Sequence, residues 1–160
     1  MAKQHSVQIG IRHERYCIFH SYKCFEPKIG LDKLYGFWVA VHRETAEVVG
    51  CVGAMPFINP EEESTSSSAE GGDKMVELIR MSVSEDFREL GIGRLLVDQL
   101  LQHARAQNCT GVILSTLKEM NVEGFYLRNG FREDHVNRIQ LSIADLETPY
   151  LNIVYFVRDC

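Results

Sequence analysis

A glycine-containing loop between a strand and an amphipathic helix constrains this chain more than any other feature. Met75–Val83 (MVELIRMSV) alternates like a strand, and residues 92–107 carry an apolar stripe at helical spacing. Gly91 and Gly93 open that helix, and a second apolar strand, Gly111–Leu117, follows it. A strand–helix–strand unit predicts two neighbouring parallel strands in an α/β layered fold.

The region before this unit predicts antiparallel strands. Residues 36–41 (GFWVAV) and 48–55 (VVGCVGAM) are apolar runs separated by a polar turn, which indicates a largely buried β-hairpin. Pro56 ends the second strand because proline removes a ladder donor. Residues 7–12 favour a further short strand, whereas residues 16–25 show no clean period.

The region after the unit predicts a short helix and two strands. The helix covers residues 119–129 and is closed by Gly130 in the left-handed conformation, and the strands cover 138–143 and 151–157. Together these elements predict a mixed, mostly antiparallel sheet. On Met75–Val83, strict alternation places one set of side chains on a single face: Glu77, Ile79, Met81 and Val83.

Length and composition limit the domain organisation and the function. A chain of 160 residues is long enough for one domain and too short for two ordinary ones. A net charge of −5 argues against a nucleic-acid partner bound through a broad basic face. We expect an atypical, shortened N-terminal segment at 1–35 and a main domain at 36–160, with an acidic, Ser-rich loop at 59–74.

Other patterns point to a protein of the reducing cytoplasm. No apolar run approaches the roughly 20 residues that span a bilayer, and the N-terminus is too polar for a secretory signal. The five cysteines are odd in number and include no C-x-x-C pair, and the six histidines are scattered. We therefore predict no disulfide framework and no metal site.

The loop and the start of the helix have the chemistry of a phosphate site. First-turn N–H groups and the positive end of the helix dipole attract anions, and Arg88 and Arg94 add positive charge. A Walker A loop is disfavoured because Arg94 stands where Lys is required, and a dinucleotide fingerprint is disfavoured by Leu96. The remaining pattern is R-x-x-G-x-G, from Arg88 through Gly91 to Gly93.

Three blocks of sequence resemble the GNAT superfamily of N-acetyltransferases. They are MVELIRMSVSEDFRELGIGRLL, GVILSTL and FYLRNGF. In the third block, the residues that match the family motif are Tyr126, Gly130 and Phe131. FWVAVHRETAEVVGCVGAMP together with ELIRMSV is most similar to the camello-like group, N-acetyltransferase family 8. The resemblance implies a GNAT-like fold and acetyl-CoA as co-substrate, with an amino acid, a cysteine conjugate or a protein lysine as amine acceptor.

The resemblance also implies roles for individual residues. Tyr126 would donate a proton to the leaving thiolate, and Glu77 would act as the base, directly or through water; a core tyrosine and a solvated charge are the plainer alternatives. Arg128 and Arg132 could reach the outer phosphate, although we interpret both as solvent-facing. The residues implied in coenzyme binding are Met81, Ser82, Val83, Arg88, Glu89, Leu90, Gly91, Ile92, Gly93 and Arg94.

The short N-terminal segment departs from the family pattern. Family members usually have two helices before the hairpin, and these build much of the acceptor site. A missing helical layer would leave apolar sheet exposed, so a homodimer is one expectation. The alternative function is a non-catalytic acyl-CoA-binding or interaction module whose acceptor site has eroded.

Overall fold

A seven-stranded sheet and two α-helices form the part of the chain that the computed structural model describes, residues 16–20, 36–57, 74–140 and 150–160. The sheet order is β1-β2-β3-β4-β5-β7-β6, and only the β4–β5 pair is parallel. The mixed, mostly antiparallel sheet predicted from the sequence is confirmed. The strands are β1 (Tyr16–His20), β2 (Gly36–His42), β3 (Val48–Pro56), β4 (Met75–Val83), β5 (Gly111–Leu117), β6 (Arg132–Gln140) and β7 (Tyr150–Asp159); the helices are α1 (Ile92–Ala106) and α2 (Glu123–Arg128).

Helix α1 packs its predicted apolar stripe against β2, β3 and β4. On the sheet, Trp38, Val52 and Ala54 are buried in the same cluster. Burying a large apolar side chain contributes about 1.5–3 kcal/mol, so this stripe holds the start of α1 firmly over the end of β4. The stripe residues are each at most 1% exposed: Leu96, Val97, Leu100, Leu101 and Ala104.

Helix α2 is shorter than predicted. A single 3₁₀ turn, Lys118–Met120, takes up the start of the predicted helix, and Asn121 follows it with a φ of 52°. A residue in the left-handed region cannot continue a right-handed helix, so α2 begins only at Glu123. The predicted end is confirmed: Gly130 has a φ of 80°, and the N–H groups of Gly130 and Phe131 bond back into α2 as in a Schellman motif.

Two strands differ from their predictions because their sequences carry little periodic apolar signal. Strand β6 begins at residue 132 rather than 138, and every residue in it is exposed. Strand β1 falls in the region without a clean period. The hairpin, Pro56 at its end, and β4 and β5 are confirmed.

Several predictions lie outside the described residues. They are the strand at 7–12, all of the loop at 59–74 except Lys74, and the last three residues of the strand at 138–143. Only β1 is described within residues 1–35, so the division of the chain at residue 35 stays a prediction.

Candidate active site

A bulge interrupts β4 halfway along its pairing with β3. Two residues of β4, Arg80 and Met81, lie opposite Val52 alone. Arg80 adopts a φ of 52°, in the left-handed region, which costs a residue with a side chain roughly 1 kcal/mol. An extra residue bends a strand and increases its twist, so the bulge redirects the last residues of β4.

The bulge changes which face the end of β4 presents. Met81 and Val83 pack against the core beneath α1, as Leu78 does before the bulge. Glu77 and Ile79, which lie before the bulge, stay on the opposite face. The prediction that strict alternation places Glu77, Ile79, Met81 and Val83 on one face is therefore wrong, because the extra residue reverses the alternation.

Strands β4 and β5 separate just before the bulge. Their parallel ladder ends at the pair Glu77 and Ile113, while β5 continues against β7 as far as Leu117. A cleft of about 1120 Å³ lies between the end of β4, the start of α1 and helix α2. Nine of the residues predicted to hold the coenzyme line it: Met81, Ser82, Val83, Arg88, Glu89, Gly91, Ile92, Gly93 and Arg94.

The start of α1 forms one wall of the cleft and has no side-chain cap. Its cap residue, Gly91, has a φ of 81° and no side chain that could accept a bond from the first-turn N–H groups. The preceding Glu89 also lies in the left-handed region, with a φ of 63°. No acidic residue occupies the first turn, so its N–H groups and the helix dipole can serve an anion in the cleft.

Two arginines flank this helix start. The Arg88 Nε donates a hydrogen bond of 3.3 Å to the carbonyl oxygen of Val83, which ties the arginine to the last residue of β4. The Arg94 Nε lies 3.8 Å from Asp98 Oδ2, and the Arg94 side chain is 77% exposed. Arg88 is the better positioned of the two, since a bond to the backbone restricts its side chain.

Tyr126 lies where the cleft meets the core. It is 8% exposed and contacts the rings of Phe125, Phe131 and Phe156 at centroid distances of 5.1, 5.8 and 5.8 Å. It also lines the cleft. Burial raises the pKa of the Tyr126 hydroxyl above its ordinary value, so the hydroxyl stays protonated at neutral pH and can donate.

Glu77 and Leu90 are not brought into the cleft. In the strand register, Glu77 lies opposite Met55 of β3 and Ile113 of β5. Its side chain is on the sheet face opposite α1, and burial raises the pKa of its carboxyl group. Leu90 is 50% exposed and is not among the lining residues. A role for Glu77 therefore requires a substrate that reaches through the separation between β4 and β5.

Several lining residues were missed by the sequence analysis. Most of them are apolar, and apolar side chains in a cleft carry the same signal as apolar side chains in a core. The short spacing from Asn121 to Gly130 was the one available hint, because it leaves room for little more than two turns of helix. The missed residues are Phe87, Met120, Val122, Phe125 and Asn129.

Comparison with known proteins identifies the family. The family model described as acetyltransferase (GNAT) domain matches residues 33–133, more than half of the chain. The chain therefore belongs to the GNAT acetyltransferase family. Several curated relatives are named as N-acetyltransferase 8 proteins, which confirms the resemblance drawn from the sequence blocks.

The relatives are longer than this chain. N-acetyltransferase 8 of Rattus norvegicus is 37% identical over 125 residues, which cover 78% of this chain and 51% of that protein. N-acetyltransferase family 8 member 2 of the same organism is 40% identical over 128 residues, with coverage of 76% and 51%. The chain thus spans about half the length of the curated relatives it matches.

Solved structures show the same fold. Arabidopsis thaliana NAA60 in complex with acetyl-CoA superposes with a TM-score of 0.59 at 21% identity, covering 78% of this chain and 75% of that one. A GNAT family acetyltransferase from Elizabethkingia anophelis with acetyl-CoA bound gives 0.66 at 13% identity, with coverage of 92% and 100%. In the described ranges of this chain, no helix combines the length and the apolar character needed to cross a membrane.

Proposed function

We propose that this chain is an acetyl-CoA-dependent N-acetyltransferase that passes the acetyl group to a primary amine by direct attack. The observation that carries the proposal is a single cleft that joins the uncapped start of α1, the redirected end of β4 and the Tyr126 ring. The names of the relatives and the acetyl-CoA in two structural neighbours support the same activity.

The loop and the start of α1 would hold the pyrophosphate. Backbone N–H groups of residues 89–94 supply the hydrogen bonds, while Arg88 and Arg94 supply charge. The peptide groups of Met81–Val83 would pair with the pantetheine arm. Backbone donors there suit a ligand that is amide-rich and extended, and β5 does not pair with this part of β4, because the β4–β5 ladder ends at Glu77.

Transfer of the acetyl group requires a base, hydrogen-bond donors to the carbonyl oxygen and an acid. A base removes a proton from the ammonium form of the acceptor, and the amine nitrogen then attacks the thioester carbonyl carbon. Backbone N–H groups near Met81–Val83 stabilise the negative charge that develops on the carbonyl oxygen. As the carbon–sulfur bond breaks, the Tyr126 hydroxyl gives its proton to the thiolate. The second proton that the amine nitrogen loses, as it becomes an amide nitrogen, restores the Tyr126 hydroxyl, and the products are an amide and CoA.

Glu77 is our candidate for the base. Partial burial raises the pKa of its carboxyl group, which makes it a better proton acceptor than an ordinary surface glutamate. It lies on the opposite face of the sheet from α1, at the last rung of the β4–β5 ladder. An acceptor arriving from that face would meet Glu77 first and the thioester beyond it, either directly or through one water molecule.

The acceptor class stays open among an amino acid, a cysteine conjugate and a protein lysine. All three offer a primary amine, and the described residues on the Glu77 face do not select among them. A homodimer and a cytoplasmic location also stay predictions from the sequence.

The test is calorimetric titration of the chain with acetyl-CoA, with ATP and NAD as controls, followed by release of CoA in the presence of amines. Saturable binding of acetyl-CoA alone, with amine-dependent release, is the expected result. Binding without turnover on any amine would favour the non-catalytic alternative. A folded chain that binds no acetyl-CoA would overturn the assignment of the cleft.

A further inference from the structure

The cleft has a third arginine, on the wall opposite the phosphate loop. Arg128, in the last turn of α2, lines the cleft together with Arg88 and Arg94. Arg132, which the sequence places beside it as an equal candidate, does not line the cleft. Its Nη1 instead lies 3.1 Å from Asp159 Oδ2. The tertiary structure thus separates two arginines that look alike in the sequence.

The Arg128 guanidinium lies back along α2, over a residue with no side chain. A Cβ built on Gly124, one turn earlier, would lie 3.2 Å from Arg128 Nη1. Side chains on a helix tilt towards its N-terminus, and Gly124 leaves the space that this orientation needs. The Arg128 side chain thus lies along α2, and Arg128 is one of the residues that line the cleft.

No acidic side chain in the described ranges lies within ion-pair distance of Arg128. Arg94 and Arg132, by contrast, each have an aspartate partner. A guanidinium that faces a cleft without an acidic partner has donors available for an anionic ligand. Arginine suits a phosphate in particular, because its planar fork can donate two parallel hydrogen bonds.

The proposed co-substrate has two separate anionic groups. Residues 88–94 are the proposed ligands of the pyrophosphate. The phosphate on the 3′ position of the ribose has no binding residue assigned so far. We infer that Arg128 binds this 3′-phosphate and makes the site prefer CoA over 3′-dephospho-CoA. The inference rests on the proposed function, since it concerns the same ligand in the same cleft.

The experiment compares CoA with 3′-dephospho-CoA by calorimetric titration. The wild-type chain should bind CoA more tightly, by about fivefold, because exposed charge pairs of this kind are screened by solvent. Arg128→Ala should bind the two ligands equally, through a loss confined to CoA. Arg132→Ala is the matched control, with the same charge removed four residues beyond α2, and it should keep the full preference.

A variant with the charge reversed gives a second test of the inference. Arg128→Glu should repel the 3′-phosphate and bind 3′-dephospho-CoA more tightly than CoA. The wild-type preference should also shrink as salt is raised, because salt screens exposed charges. An unchanged preference in Arg128→Ala, with CoA still bound, would overturn the inference and leave the proposed function standing. Failure of the wild-type chain to bind either ligand would overturn both.

Discussion

The ring of Phe125 lies directly against the backbone of Gly93. A Cβ built on Gly93 would come within 2.9 Å of Phe125 Cε2 and 3.0 Å of Phe125 Cζ. Gly93 belongs to the first turn of α1, and Phe125 belongs to α2. The absence of a side chain at Gly93 therefore allows the two helices to approach each other at the cleft, which both residues line.

Gly93→Ala should destabilise the protein. Replacing a helical glycine by alanine ordinarily stabilises a helix by up to about 1 kcal/mol. Here the new methyl group would displace an aromatic ring, and overpacking of this kind costs about 1–3 kcal/mol. We expect a net loss of roughly 1 kcal/mol in the free energy of unfolding, measured by denaturant titration, together with weaker acetyl-CoA binding.

A double-mutant cycle isolates the contact. Phe125→Leu removes the ring that Gly93→Ala would meet, so the two changes together should cost less than the sum of the separate costs. Additive costs would show that the ring does not respond to the new methyl group.

Gly91→Val should abolish acetyl-CoA binding. Gly91 has a φ of 81°, and a Cβ there would meet no protein atom within 4 Å, so the obstacle is backbone strain rather than a clash within the protein. A β-branched residue is a strong outlier in that conformation and would shift the N–H groups that follow. Isothermal calorimetry with acetyl-CoA measures the loss; retained affinity would contradict our placement of the pyrophosphate.

A substitution at Ala46 should relieve backbone strain, whereas the substitution at Gly91 should create it. Ala46 has a φ of 57° in the turn between β2 and β3, and it is not among the residues that line the cleft. Ala46→Gly should relieve that strain, so the free energy of unfolding should hold or rise slightly while acetyl-CoA affinity stays unchanged.

Tyr126→Phe should lower turnover with little change in acetyl-CoA affinity. The substitution removes only the hydroxyl, and the ring contacts with Phe131 and Phe156 can persist. We expect kcat to fall by about tenfold or more, a smaller loss than the roughly hundredfold minimum usual for a general acid, because a thiolate leaves readily. Tyr155→Phe, on β7, is the matched control. Unchanged turnover would mean that Tyr126 serves only the core.

Glu77→Gln should stabilise the protein at neutral pH. Burial raises the pKa of the Glu77 carboxyl group in the folded chain, so the folded state holds its proton more strongly than the unfolded state does. Its contribution to stability is then highest below the unfolded pKa and falls as pH rises through the folded pKa. Gln, which does not titrate, should remove that loss.

Unfolding titrations at pH 4 and pH 7 test this sign. The gain from Glu77→Gln should be larger at pH 7 than at pH 4, with Glu47→Gln, at an exposed position, as the matched control. If Glu77 is also the base, Glu77→Gln should lower kcat and remove the limb of the pH–rate profile along which activity rises with pH.

The sequence by itself determined the central unit of this protein. The apolar stripe of α1, the glycines before it and the buried residues of β5 are local patterns with short-range physical causes, so spacing and residue type were sufficient to predict them. The same patterns led to the proposed phosphate loop, because an uncapped helix start and its glycines are adjacent in the chain.

Only the tertiary structure decided how the cleft is completed. The bulge at Arg80 depends on the register between β3 and β4, and no local pattern records a register. The ion pair that distinguishes Arg132 from Arg128 depends on where β7 ends, since Asp159 lies 27 residues away from Arg132. Contacts between distant segments form only when the strands assemble into the sheet, so two arginines with similar sequence positions can have different neighbours.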